Sequence, residues 1–107
     1  MTTAPNKRLA LLEKLVAAGQ ADSFARYALG MEYRKDKRFD DAVRTFEELR
    51  AADAKYLPQY LMAGQTLVEA GRPADARAWL EAGIALARSQ GDMKTLGELE
   101  GALGELD

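Results

Sequence analysis

The chain has 107 residues, 48% of them hydrophobic and 30% charged, with 15 Lys and Arg against 17 Asp and Glu and a formal net charge of -2. That is the balance of one soluble globular domain, without the strongly basic face of a nucleic-acid binder. Cysteine and histidine are both absent, which excludes disulfides, thiolate metal sites and the commonest general base and metal ligand.

In chain order, the apolar spacing predicts six helical segments. The first covers Pro5–Ala18, with Leu9, Leu12, Leu15 and Val16 on one side and a stop at Gly19. Glu13 and Lys14 interrupt its apolar run, so neither a signal peptide nor a spanning helix is expected and the expected location is cytoplasmic. The second covers Ser23–Lys35, with Asp22 or Ser23 able to cap it. The third covers Asp40–Ala52, with Val43, Phe46 and Leu49 inward. Pro58 and Pro73 suit first turns and open the fourth, Pro58–Ala70, and the fifth, Pro73–Arg88. The sixth covers Met93–Leu106, after Gln90-Gly91-Asp92. Short connections make neighbouring helices antiparallel. Strand-type alternation is nearly absent, so the fold class is all-α.

Sliding the chain by 34 residues aligns Gly30 with Gly64, Arg38 with Arg72, Asp41 with Asp75, Ala42 with Ala76, Glu47 with Glu81 and Ala51 with Ala85. Each glycine falls midway along the first helix of a pair, where a side chain would block the second helix. Each early alanine falls in the second helix, and Phe46 and Leu80 follow four residues later on the same face. Gly30 and Gly64 are therefore expected to be equivalent contact points in two like-shaped hairpins.

This pattern resembles the tetratricopeptide repeat family, whose 34-residue helical hairpin carries a bulky residue, Leu-Gly, Tyr, Ala, Phe, Ala and Pro at fixed places. Residues 23–56 show Leu29-Gly30, Tyr33, Ala42 and Phe46 at that spacing. Residues 57–90 show Tyr60, Gly64, Leu67, Ala76 and Leu80. The departures are Arg26 at the first bulky position, Leu49 and Gly83 for the second alanine, and Ala54 and Arg88 for the closing proline. The resemblance implies an antiparallel helix-hairpin repeat stack in one domain, 1–107. Residues 1–22 and 91–107 would then be terminal caps around two repeats, the former in the place of a second helix and the latter in that of a first.

No constellation for catalysis emerges. Asp40-Asp41 suits a helix N-terminus, Glu47-Glu48 and Glu98/Glu100 suit solvated faces, and no phosphate-binding glycine motif occurs. No enzyme activity, cofactor or metal is expected. The run Arg34-Lys35-Asp36-Lys37-Arg38 suits a helix C-terminus and a solvated turn, or a positive patch for an acidic partner.

In this family the first helix of each pair lines an inner groove, which implies Phe24, Tyr27, Met31, Arg34 and Lys35 from one repeat and Leu61, Gln65, Val68 and Glu69 from the other. Tyr27, Met31, Arg34, Lys35, Leu61, Gln65 and Val68 are the expected partner-binding residues. The family's carboxylate clamp of Lys and Asn is not expected, because Tyr27, Met31 and Leu61 occupy those places. The implied function is an adaptor or scaffold that holds a peptide segment or helix of another protein, with no nucleic acid and no membrane insertion. The alternative is a self-assembling module, such as a homodimer, formed through the exposed repeat ends or the last segment. There, Leu96, Leu99, Leu103 and Leu106 form one stripe and Gly97, Gly101 and Gly104 another. That segment is also suited to a cap laid across the fifth. Trp79 is expected in the core.

Overall fold

The computed structural model describes residues 6–107, which form six helices: α1 (Lys7–Ala17), α2 (Ser23–Lys35), α3 (Phe39–Ala52), α4 (Pro58–Glu69), α5 (Pro73–Gln90) and α6 (Met93–Gly104). Pro5, the expected start of the first segment, lies outside the described residues. Three helices open on side-chain caps: Asn6 accepts from Leu9 N–H at 3.0 Å, Asp22 from Ala25 N–H at 2.8 Å and Asp92 from Thr95 N–H at 3.0 Å. Each satisfies one of the N–H groups that a helix start leaves without a partner. Asp22, rather than Ser23, is the cap of α2. Ser23 instead donates to Asp53 at 2.6 Å.

Segment ends differ from expectation by one or two residues. α3 begins at Phe39, α1 and α4 each stop one residue early, and α6 closes at Gly104. α5 runs on to Gln90 because its left-handed cap is Gly91, with φ 71°. The Gln90 side chain then donates to the Lys55 carbonyl at 3.0 Å.

The hairpins α2–α3 and α4–α5 repeat the same local chemistry. After α2 the Arg38 N–H returns to Tyr33 O at 2.9 Å, and after α4 the Arg72 N–H returns to Leu67 O at 2.8 Å. The turn residue between is Gly71 in one, at φ 76°, and Lys37 in the other, at φ 59°. Arg38 then bonds Asp41 at 2.9 Å and Arg72 bonds Asp75 at 3.0 Å, which accounts for two of the aligned identities. Ala42 and Ala76 are fully buried, whereas Ala51 and Ala85 face solvent and carry no packing role.

Gly30 and Gly64 are equivalent contact points. A Cβ on Gly30 would lie 2.7 Å from the Phe46 ring, and a Cβ on Gly64 would lie 2.6 Å from Leu80 Cδ2. Phe46, Leu49, Leu67, Leu80 and Leu99 are the largest apolar side chains that are fully buried, each worth about 1.5–3 kcal/mol on removal from water. Trp79 is in the core at 8% exposure, with its ring 5.6 Å from Tyr60 and the Arg50 guanidinium 4.9 Å from it.

Helices pack in chain order, each on the next. In addition α2 approaches α4, and α4 approaches α6, whereas the backbones of α1, α3 and α5 keep apart. The stack therefore curves, with α2, α4 and α6 on the inner side. Its extents are 40 × 32 × 20 Å and its radius of gyration 14.2 Å, longer than the ~13 Å of a sphere-like chain of this length.

The ends are closed unequally. On α1, Leu9 and Leu12 are buried, and Glu13 accepts from the Tyr33 hydroxyl at 2.9 Å. On α6, Leu99 is fully buried and Leu96 and Leu103 are half-buried against the core, as is Leu106 just after the helix. α6 packs across α5 in this way, and Gly83 makes it possible: a Cβ there would lie 2.6 Å from Tyr60 Cβ and 3.0 Å from Leu99 Cδ2.

Candidate functional site

The inner side of the curve holds two hollows. The larger, about 390 Å³, lies between α4 and α6 and is lined by Arg34, Gln65, Val68, Glu69, Ala102 and Leu106, with Gly64, Leu80 and Glu105 completing it. The second, about 320 Å³, is shallow and bounded by Met31, Arg34, Lys35, Lys37 and Glu69. Val68 is 45% exposed and Phe24, further along α2, is 63% exposed. These are large apolar side chains left facing water on the inner helices.

Of the expected partner-binding residues, Arg34, Gln65 and Val68 meet at the larger hollow, and Met31, Arg34 and Lys35 meet at the smaller. Tyr27 and Leu61 line neither. Both are half-buried and packed against the core. The Tyr27 ring sits edge-on to Tyr56 at 5.6 Å and tilted to Phe46 at 6.3 Å, and burial pushes its hydroxyl above the ordinary tyrosine range, with Tyr56 adding to the effect. Its first duty is packing.

Arg34 is the tie between the inner helices. Its Nε donates to Glu69 at 3.0 Å, its Nη2 also reaches Glu69, and its Nη1 donates to Gln65 at 3.3 Å and faces the Met62 sulfur at 3.5 Å. Its side chain is 21% exposed and that of Glu69 43%, so the pair contributes about 0.2–1 kcal/mol after solvent screening. The basic run is thus largely consumed by structure. Arg34 is neutralised by Glu69, Arg38 is paired with Asp41 and stacked 4.6 Å over the Tyr33 ring, and Lys37 makes the left-handed turn. The side chains of Lys35 and Lys37 are left as exposed cations at the smaller hollow, Lys35 beside Met31.

The contributions of Ala102, Glu105 and Leu106 were not legible from the first two repeats. They come from the last helix, whose place as a first helix was the available signal. With Val68, Ala102 and Leu106 within, the larger hollow is apolar at its base, and its rim carries the Arg34–Glu69 pair and the carboxylate of Glu105. It offers an amide, carboxylates and apolar surface. Among the described residues, no three acidic side chains are grouped to hold a metal ion, and no helix is long and apolar enough to cross a membrane.

Comparison with known proteins fits this architecture. A tetratricopeptide repeat family model matches residues 33–103. The crystal structure of a tetratricopeptide repeat domain protein from Salinibacter ruber is 35% identical, covering 80% of this chain and 96% of that one, with a TM-score of 0.74. The solution structure of a protein from Bordetella parapertussis is 30% identical, covering 99% of this chain and 89% of that one, with a TM-score of 0.80. The Yersinia enterocolitica type III secretion translocator chaperone SycD, crystallised as an alternative dimer, is 21% identical and shares the fold, with a TM-score of 0.81 over 92% of this chain and 75% of that one. A comparison with curated proteins gives no match. A shared hairpin geometry, a family model spanning most of the chain and two relatives at this level of identity lead to one conclusion: this chain belongs to the tetratricopeptide repeat family.

Proposed function

We propose that this protein is a non-enzymatic adaptor that holds a segment of a partner protein along the inner side of its curve, across α2, α4 and α6. The observation that carries the reading is the hollow of about 390 Å³ between α4 and α6, with Val68, Ala102 and Leu106 inside and Gln65, Glu69 and Glu105 at the edge. An apolar side chain of the guest would enter it, and a cation beside that side chain would meet Glu105, the carboxylate outside the Arg34–Glu69 pair. A preformed pocket with few polar groups is the usual form of a recognition site. The guest would be an extended strand or an amphipathic helix with an apolar anchor. The wider contact surface would include Met31, Lys35 and Phe24, with Tyr27 and Leu61 shaping it from beneath. Residues 23–56 and 57–90 would serve as the two repeats and the flanks as caps. The likeness in fold to a translocator chaperone supports a partner-holding role.

The test is selection from a random peptide library on the wild-type chain, followed by amide chemical-shift mapping with a selected peptide. The expected perturbations fall on α2, α4 and the end of α6, and Val68→Glu abolishes binding while the helical circular dichroism stays unchanged. Peptides that perturb α3 and α5 instead, or that bind Val68→Glu as well as the wild type, overturn the assignment.

A further inference from the structure

The two end helices each present a face that the complete hairpins cover. Leu11 on α1 stands 34 residues before Thr45 and 68 before Trp79. Those two are buried, at 7% and 8% exposure, whereas Leu11 is 58% exposed. Trp79 owes its burial in part to Tyr60, a residue of the first helix of its own hairpin. α1 stands in the place of a second helix, and among the described residues no first helix precedes it to cover Leu11. Leu15, the equivalent of the fully buried Leu49, is only half-buried.

α6 presents the converse. It stands in the place of a first helix, resting on α5 through Leu96, Leu99 and Leu103. In α2 and α4 another face receives the following second helix; among the described residues nothing follows α6. On the adjoining face Met93 is 60% exposed, and a Cβ added to Gly97 or Gly104 would meet nothing within 4 Å. Met93, Gly97, Glu100 and Gly104 share that face at helical spacing, and Glu100 is its one charged member.

The charges of the two ends are complementary. α1 carries Lys7, Arg8 and Lys14 against Glu13, and Arg8 is still largely exposed although its Nε pairs with Glu32 at 3.0 Å. Residues 93–107 carry Glu98, Glu100, Glu105 and Asp107 against Lys94; Asp107 pairs with Arg77 and Glu100 lies 3.8 Å from Arg88, and Glu100 is still largely exposed. An exposed leucine on a basic second helix and an open, low-profile face on an acidic first helix are the two halves of one hairpin.

We propose that a second copy of this chain docks end to end, its α1 packing on α6 of the first copy so that the two helices complete a hairpin between molecules. Leu11 then lies against the face of Met93, Gly97 and Gly104, with the basic flank of α1 beside the acidic flank of α6. The contact is heterologous, so each copy keeps one free end and association continues as a linear series. Added salt weakens it. It uses a surface separate from the inner hollows and stands whether or not those hold a peptide.

Sedimentation velocity over a concentration series tests this with the wild-type chain, Leu11→Glu and Gly97→Arg. Both variants keep their helical circular dichroism, since Leu11 faces water and Gly97 has open space. The wild type is expected to form larger species as concentration rises, and each variant alone to remain monomeric. An equimolar mixture of the two variants is expected to form a dimer and nothing larger, because each retains the end that the other has lost. A wild type that stays monomeric up to its solubility limit overturns the proposal. So does a mixture that remains monomeric, or either variant that still self-associates, which would indicate a symmetric contact instead.

Discussion

A methyl group added at Gly30 should destabilise the protein, while the same change at Gly97 or Gly101 should stabilise it. At Gly30 the new Cβ would sit 2.7 Å from both Cε1 and Cζ of Phe46. That ring is fully buried, so the clash is relieved only by moving α3 away from α2. Overpacking of this kind costs about 1–3 kcal/mol, against a helix-propensity gain of about 1 kcal/mol for Gly→Ala. The net expectation is a loss of up to about 2 kcal/mol, and each kcal/mol lowers Tm by about 4–8 °C in a chain of roughly 100 residues. At Gly64 the obstructing atoms are Cδ2 and Cγ of Leu80, at 2.6 and 2.8 Å on a side chain that is also buried, so a similar loss is expected there. At Gly97 and Gly101 nothing lies within 4 Å, and only the propensity gain remains, about 0.5–1 kcal/mol. Urea unfolding followed by circular dichroism, at low protein concentration so that association does not intrude, gives all four values. A Gly30→Ala that stabilises as much as Gly101→Ala would refute the packing argument, as would a destabilising Gly101→Ala.

Two further outcomes follow from local features. Lys37 holds φ 59° where the equivalent turn has Gly71, a conformation that costs an ordinary residue about 1 kcal/mol or more; Lys37→Gly should raise Tm by several degrees, and an unchanged or lower Tm would contradict the strain. The Tyr33 hydroxyl is pushed up from 10.0 to about 12, first by burial and then by its bond to Glu13. Between those pH values the unfolded chain releases the proton while the folded chain keeps it, so this contribution is complete below pH 10 and lost as pH rises through about 12. Urea midpoints taken across that window should decline with pH, and Tyr33→Phe should flatten the decline without removing the part due to Tyr27 and Tyr56, whose hydroxyls are also raised. An identical slope in wild type and variant would rule this out.

The hairpin repeat was legible because close approach leaves few residue types to choose from. Gly30 and Gly64 face Phe46 and Leu80 at less than a normal contact distance for any Cβ, and a sequence cannot vary there without moving a helix. The turn identities Arg38/Asp41 and Arg72/Asp75 were visible for a similar reason, each pair closing within one helical turn. Arg34 was not legible as a tie. A charge run reads the same whether its members are free or paired, and Glu69 lies 35 residues away on another helix. The contribution of α6 to the hollow was hidden by a change of register. Leu99 follows Gln65 by the repeat length, yet Gln65 faces the groove and Leu99 is fully buried. α5 has 18 residues where α3 has 14, and Gly83 admits Leu99 where Leu49 would not. The period therefore predicts the groove residues of α4 better than those of α6.

Trp79 is the only tryptophan in the chain. It touches Tyr60 within its own hairpin and Arg50 on the neighbouring one. Its emission therefore reports the joint between hairpins, whereas far-ultraviolet dichroism reports helix content as a whole. In a chain whose units contact only their neighbours, the joint is free to part before the helices melt. The native protein thus carries an optical probe for whether its two hairpins come apart one at a time or together.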